Sequence, residues 1–364
     1  MIKEKKKRLL ILHPTIAQYR IDFFNDLSRV FYIRMCLSDF YNKSFNFKFN
    51  YAQLEFEPIP LKSLPKEIWK QIDSYKPDVV LVSEFGLGTI SVLLHRFIKR
   101  RSYKTISICD DSYNMLTEGN HFSLKHKWAR RLLSPFLDDI IVVEPKVEEW
   151  FQERYKKGIY FPIIRDAVKQ REVYNTILRD SFDIMHNMKL EDKNVFLYVG
   201  RFVALKNIET IINAFSSLDQ KDNILVLVGS GEEEMKLKNL VSDLNINVIF
   251  TGRLEGNMLY SWYNIADYFV LASYKEAFGA VTNEALLAGC YCLVSDKAGS
   301  RCLIEEGKNG YTFSSMNVYE LIEKMKLLLK VFPKKRPLDK VKPNLMTVDY
   351  QMKMRSIIEH IKSL

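Results

Sequence analysis

Short apolar runs alternate with helix-patterned stretches along most of this chain, and that alternation limits the fold more than any other feature. In the first half, "RLLILH", "FYIRMCLS", "DVVLVSE", "TISIC" and "DIIVVE" read as strands. In the second, "NVFLYVG", "NILVLVG", "VIFTG", "YFVLAS", "YCLVSD" and "GYTF" do the same. A strand apolar on both faces needs cover on both faces, and strand–helix–strand order supplies it in parallel sheets. The predicted class is therefore α/β, with two successive Rossmann-like domains and no short-period sequence repeat. A ligand cleft between two such domains is the default expectation.

The seam lies near residues 161–190, where "FPIIRDAVKQREVYNTILRD" breaks the alternation. The expected domains are 1–165, 166–345, and a C-terminal helix within 346–364 that returns to the first domain. That helix, about Val348 to Ile361, follows a Pro/Lys linker, "FPKKRPLDKVKPN". "NKSFNFKFNY" places Phe45, Phe47, Phe49 and Tyr51 at period two, a further strand with one apolar face. A helix is expected after "YRIDFFNDL", and another opening at Lys206.

With 364 residues, 47% hydrophobic and 27% charged, the chain suits a soluble globular protein with more than one core. No apolar run approaches a bilayer-spanning length. The run Leu9 to Leu12 is too short for a signal peptide and suits a first buried strand. Five cysteines are scattered, apart from Cys290 and Cys292. A buried, reduced pair is the plainest reading of those two, and a reducing cytoplasm follows. Charge is uneven. Residues 1–180 hold 31 Lys/Arg against 22 Asp/Glu, and residues 181–364 hold 23 against 22. A solvated basic surface explains this, as does an anionic partner of the first half alone.

"EAFGAVTNEALLAGC" sets Glu276 and Glu284 eight residues apart. The preceding "ADYFVLAS" reads as a buried strand, and a short helix ending near Gly289 follows Thr282. Glu276 is thus expected on a loop at the carboxyl end of a strand, and Glu284 in the first turn of a helix. That is where open α/β sheets bind ligands. In "YVGRFVALKN", Arg201 and Lys206 follow a strand that ends at Gly200. Two cations at a strand-to-helix turn suit a diphosphate, Arg as a fork and Lys as a point charge. Surface cations at a helix start are the plain alternative.

Taken together, Gly200-Arg201…Lys206-Asn207, "VGSGEEE", "VIFTGRL", the Glu276–Glu284 pair and "GKNGYTF" resemble the family 4 retaining glycosyltransferases of GT-B fold. The match in order and spacing runs from about residue 194 to 313, and Glu276 to Glu284 is similar to that family's E-x7-E signature. The resemblance implies two Rossmann-like domains facing across a cleft, the second holding a nucleoside-diphosphate sugar. It implies donor contacts from Gly200, Arg201, Lys206, Arg253, Leu254, Glu276, Phe278, Gly279, Ala280 and Glu284. Glu276 would meet the sugar hydroxyls and Glu284 the ribose hydroxyls, since a carboxylate accepts two hydroxyl hydrogen bonds. Backbone N–H groups around Phe278, Gly279 and Ala280 would face the diphosphate, with Gly279 permitting close approach. Arg201 and Lys206 would stabilise the leaving group. No cofactor and no metal are expected: the sugar nucleotide is a substrate, and the chain has no Asp-x-Asp pair to hold a divalent cation.

The N-terminal half matches less fully. "HPTIAQYRIDFFNDL" looks like family members with a Tyr-Arg pair before the first helix, but lacks their glycine pair. "TISICDDSYNM" carries Asp110 and Asp111 where many relatives have a histidine near the acceptor. Tyr19, Arg20, Asp110 and Asp111 are the acceptor-site candidates, with Asp111 orienting the attacking hydroxyl, or both aspartates simply capping a turn.

"SVLLHRFIKRRSYK" and "SLKHKWARRLLSPF" mix cations with Leu, Phe and Trp128 at helical spacing. The plainer reading is an amphipathic helix facing its own core. The functional one is docking on an anionic membrane, where lipid-linked acceptors sit.

The resemblance implies a cytoplasmic, metal-independent transferase moving a sugar with retention to a saccharide or lipid-linked acceptor. Bacterial surface polysaccharide or lipopolysaccharide assembly is the expected setting, with peripheral attachment to the inner face of the cytoplasmic membrane. Two alternatives stand beside it: an epimerase or phosphorylase of the same fold, and a non-catalytic binder of nucleic acid or membrane. Nucleic acid is not an expected partner, because the charge is not clustered with a nucleic-acid motif.

Overall fold

Among the residues described by the computed structural model (6–40, 51–62, 64–118, 124–332 and 340–364), every strand pairing is parallel. The chain divides into two compact units. Unit 1 comprises residues 1–165 and 350–364, and unit 2 comprises 166–349. The Phe45–Phe49 stretch lies outside the described residues.

Among its described residues, unit 1 holds seven strands: β1 (Arg8–His13), β2 (Tyr32–Leu37), β3 (Ile59–Pro60), β4 (Val79–Ser83), β5 (Lys104–Cys109), β6 (Asp139–Val142) and β7 (Ile159–Tyr160). Their order is β3-β2-β1-β4-β5-β6-β7, so the winding reverses between β1 and β4. Alternate residues line each face. Leu10, Leu12, Val80 and Val82 pack with Ile68, Ile72 and Val92 on one side, and Cys109, Ile140 and Val142 with Val147 and Phe151 elsewhere. The connecting helices are α1 (Ile21–Val30), α2 (Pro65–Tyr75), α3 (Leu87–Ile98), α4 (Tyr113–Thr117), α5 (Leu124–Leu133) and α6 (Pro145–Tyr155). Pro65 and Pro145 open α2 and α6, where a missing N–H costs nothing.

Among its described residues, unit 2 holds six strands: β8 (Asn194–Val199), β9 (Asn223–Val228), β10 (Val248–Gly252), β11 (Tyr268–Leu271), β12 (Tyr291–Ser295) and β13 (Gly310–Phe313). Their order is β10-β9-β8-β11-β12-β13, and the reversal falls between β8 and β11. Its helices are α7 (Ala167–Thr176), α8 (Leu178–Asn187), α9 (Ile208–Phe215), α10 (Glu234–Leu244), α11 (Gly256–Ile265), α12 (Val281–Leu287) and α13 (Val318–Val331). The Asp166 carboxylate caps α7, accepting from Val168 N at 2.9 Å. A last helix, α14 (Tyr350–Ser363), belongs to unit 1. Its buried Tyr350, Met354, Ile357 and Ile361 fill that unit's core. The Tyr350 hydroxyl also donates to Asp26 Oδ2 at 2.8 Å.

Several expectations are corrected in detail. α1 starts inside "YRIDFFNDL", not after it. Lys206 closes a 3₁₀ turn (Ala204–Lys206), and α9 begins two residues later, after Asn207 at φ +53°. Strands β3 and β7 are additional. In the Pro/Lys linker, Lys342 is buried and donates to the carbonyls of Tyr263 (3.0 Å) and Asn264 (2.9 Å) at the end of α11. Cations suit the carbonyl end of a helix. The apolar row of α5 does not face the core: Leu124, Trp128 and Leu132 are 74%, 57% and 60% exposed. No described helix is long and apolar enough to cross a membrane.

Candidate active site

In an open parallel sheet, the helices on either side of the reversal point leave by opposite faces and open a crevice at the strand ends. In unit 2 that crevice lies beyond β8 and β11. The loop after β8 carries Gly200, Arg201 and Lys206, and the loop after β11 carries Glu276. The two loops are tied together. Tyr274 N donates to Leu205 O at 2.9 Å, and the Asn207 amide donates to Ala272 O at 3.1 Å. The Lys206 ammonium and the Glu276 carboxylate form an ion pair, both side chains largely buried. Ser273 Oγ donates to the same carboxylate oxygen at 3.3 Å. Arg201 is exposed beside them.

Gly279 takes φ +92°, and a Cβ there would lie 2.7 Å from Leu271 Cδ2. Only glycine fits this turn. Phe278 is buried and its carbonyl accepts from Ser300 N at 2.7 Å, so the Glu276–Ala280 loop is held from both sides. Glu284 sits in the first turn of α12. Its Oε2 accepts from the Tyr263 hydroxyl at 3.0 Å, and its backbone carbonyl from the Tyr174 hydroxyl at 2.9 Å. Burial, and then the nearby Glu284 charge, push both phenols well above the usual range, so each acts as a donor. Tyr263 and Tyr174 are positioning residues that the sequence pattern did not single out, because they sit on helix faces with ordinary core spacing. Arg253 and Leu254 follow β10, at the far edge of the sheet from β11. The Arg253 guanidinium is engaged by the exposed Glu255.

The candidates of unit 1 gather at the ends of β4 and β5. Arg20, buried at the start of α1, pairs with Asp110, and Tyr19 is adjacent. Asp111 is buried, 3.5 Å from Arg130 and 3.6 Å from His126. Neither aspartate caps the following turn: Ser112 does, accepting from Met115 N. Glu84, at φ +56°, joins this group, its Oε1 accepting from Asp110 N at 2.9 Å. Burial, then Asp111 and Asp110, push the Glu84 carboxyl well above its usual range. Burial likewise lowers the neighbouring His13 to about 4, so its ring is neutral. Glu84, Asp111 and His126 each offer one ligand atom within 4.8 Å of the others, a spacing a cation can bridge, although Arg130 opposes it.

Comparison with known proteins adds the following. The family described as "Glycosyl transferases group 1" matches residues 181–340. An uncharacterized glycosyltransferase of Haemophilus influenzae is 31% identical over 259 residues, covering 68% of this chain and 69% of that one. The chain belongs to the group 1 glycosyl transferases. A lipopolysaccharide 1,2-N-acetylglucosaminetransferase of Salmonella typhimurium is 32% identical over 133 residues, covering 33% of this chain and 35% of its own. The chain spans 40%, 32% and 27% of three further curated relatives. Among solved structures, Anabaena HepE in complex with UDP superposes with a TM-score of 0.79 at 17% identity, covering 98% of this chain and 100% of that one. This group 1 transferase thus has the GT-B fold of paired Rossmann-like domains.

Proposed function

We propose that this group 1 transferase moves a sugar, with retention, from a nucleoside diphosphate to a saccharide or lipid-linked acceptor. The supporting observation is the Lys206–Glu276 ion pair at the reversal point of the unit 2 sheet. The family 4 pattern of Glu276 and Glu284 gives each its part. An arriving diphosphate draws Lys206 away from Glu276, because two phosphate charges outweigh one carboxylate. Glu276 is then released to the sugar hydroxyls, while Glu284, oriented by Tyr263, takes the ribose. Arg201 and Lys206 stabilise the departing diphosphate. The acceptor hydroxyl attacks from the face the phosphate leaves, and the phosphate helps to take its proton. Arg20, Asp110 and Asp111 serve the acceptor, with no metal required. The Salmonella relative and the UDP-bound neighbour support a UDP-sugar in lipopolysaccharide or surface polysaccharide assembly. Cytoplasmic location and docking on an anionic membrane belong to the same reading.

A thermal-shift screen of UDP, GDP, ADP and their sugars tests it, since a ligand that binds only the folded state raises its stability. The expected result is a shift with one base alone, and a product whose anomeric configuration by NMR equals the donor's. Arg201→Ala should then lower turnover about ten- to a hundredfold, as a hydrogen bond to a charged group is worth about 1.5–3 kcal/mol. An inverted anomer, or full turnover in Arg201→Ala, rejects the mechanism.

A further inference from the structure

Unit 1 reverses its winding between β1 and β4, and a cavity of about 300 Å³ opens there, at the carboxyl ends of β1, β2 and β4. Buried Leu12, Cys36, Ile68 and Val82 are among its walls. No acid, lysine or arginine among the described residues lines it. Two titratable groups do, His13 and Cys36. Burial lowers His13 to about 4, against the pull of Asp110 and the Thr15 backbone, and pushes the Cys36 thiol up to about 11. Both are uncharged near neutral pH, so the whole wall is neutral.

Two glycines of the wall, Gly86 and Gly88, have no part in holding the fold. Gly86 is the N-cap of α3, in extended backbone at φ −88°, and Gly88 lies in the first turn of that helix. Neither takes a left-handed conformation. A Cβ on either would meet no atom within 4 Å, whereas one on Gly231 or Gly279 would strike its neighbours. So neither backbone nor packing calls for glycine here, although glycine costs a helix stability relative to alanine. The loop before α3 is anchored by other groups: Thr89 Oγ1 and Ser107 Oγ donate to Glu84 O at 2.8 and 2.9 Å. What the two missing side chains leave is open space at the cavity wall.

We infer that this cavity is a subsite for an uncharged apolar group of the acceptor, a ring or short branched chain, for which Gly86 and Gly88 leave room. The inference rests on the transfer reaction proposed above and names the acceptor's class, an amphiphile and not a plain saccharide. The cavity has twice the roughly 150 Å³ that admits one benzene. A charged group would lose its hydration there and find no counter-ion. The polar part of such an acceptor has its partners next door. His13 feels the charges of Arg20 and Asp110, and Glu84, next after the lining residue Ser83, accepts from Asp110 N at 2.9 Å. Among the described residues the buried His13 Nδ1 has no hydrogen-bond partner, and an acceptor hydroxyl would supply one.

Saturation-transfer NMR of benzyl alcohol with the full chain tests the cavity. Wild type should bind it with a dissociation constant on the order of 1–10 mM. Gly88→Leu should weaken binding at least about tenfold by filling the space, and Gly88→Ala, which keeps the test intact if the larger variant misfolds, about threefold. Gly88→Ala should also melt about 1–3 °C above wild type, because α3 loses a glycine. No binding by wild type, or equal binding by wild type and both variants, overturns the subsite. A lower melting temperature in Gly88→Ala gives that glycine a part in the fold and overturns it too. Benzoate should bind at least about tenfold more weakly than benzyl alcohol, and equal affinity contradicts the uncharged class. Phenyl glycosides of glucose, galactose, mannose and N-acetylglucosamine test the link to the acceptor. At least one should bind about tenfold more tightly than benzyl alcohol and lose that gain in Gly88→Leu, and a panel with none separates the cavity from the acceptor and overturns the inference. The thermal shift with UDP, GDP or ADP reads the donor site independently. A chain that binds benzyl alcohol and none of these nucleotides overturns the transfer reaction, and one that binds a nucleotide but no benzyl alcohol overturns the subsite alone.

Discussion

Glu276 and Glu284 are eight residues apart yet meet different partners, a lysine on one and a tyrosine hydroxyl on the other. The two should therefore fail differently. Glu276→Gln should lose sugar transfer while bare nucleoside diphosphate still binds. Glu284→Gln should weaken the bare nucleotide too, and Tyr263→Phe should do so by less, about three- to tenfold, because it removes one hydrogen bond of roughly 0.5–1.5 kcal/mol. Calorimetric titration separates the three, and wild-type nucleotide affinity in Glu284→Gln removes the ribose assignment. Glu84 gives a pH test. Its folded state keeps a proton that the unfolded chain releases above about 4.5, so the group costs stability increasingly as pH rises past that value. Glu84→Gln keeps the acceptor for Asp110 N and removes the charge. It should melt with wild type well below that pH and above wild type near pH 8, by up to about 1.4 kcal/mol for each pH unit of displacement. A gap that closes toward alkaline pH contradicts the buried proton. At this scale the sequence was legible by residue type and not by contact. The pattern marked Lys206 and Glu276, but a separation of 70 positions hides their pairing. Tyr263 and Glu84 carried no signal, since one resembles any core aromatic and the other any residue at a strand end.

Between residues and domains, the loops decide the site's shape. "VGSGEEE" lacks the third glycine of a dinucleotide fingerprint, and its glycines have a different use. A Cβ on Gly231 would stand 2.3 Å from Phe202 O and 2.8 Å from Phe202 N, so the loop after β9 lies directly against the one after β8. Phe202 N donates to Ser230 O at 2.9 Å, and Glu233 N to Phe202 O at 3.0 Å. Gly231→Ala should push the Arg201 loop aside, costing about 2–3 kcal/mol of stability together with donor affinity. Loss of stability with unchanged donor affinity shows that Arg201 does not depend on this contact. The buried strands were legible because continuous apolar runs have few other uses. Strands β3 and β7, two residues each at the sheet edges, offer too little pattern to read. The α5 periodicity announced an amphipathic helix but could not tell which face is covered, since that depends on neighbours distant in sequence.

At the scale of the molecule, the chain leaves unit 1 at Arg165 and re-enters it at Tyr350. Helix α14 supplies four buried side chains to that unit. Ile357→Ala should lower the stability of unit 1 by about 2–5 kcal/mol. Calorimetry should resolve an earlier first transition, with the transition of unit 2 unmoved. A common shift of a single transition shows instead that the two units melt as one. The same arrangement sets an order of events at the ribosome. Unit 2 emerges whole, as one uninterrupted stretch, while unit 1 waits for a piece that is translated after it. Until that piece arrives, the nascent protein carries a folded insert beside an unfinished partner, with the seat of Tyr350, Met354, Ile357 and Ile361 open to chaperones.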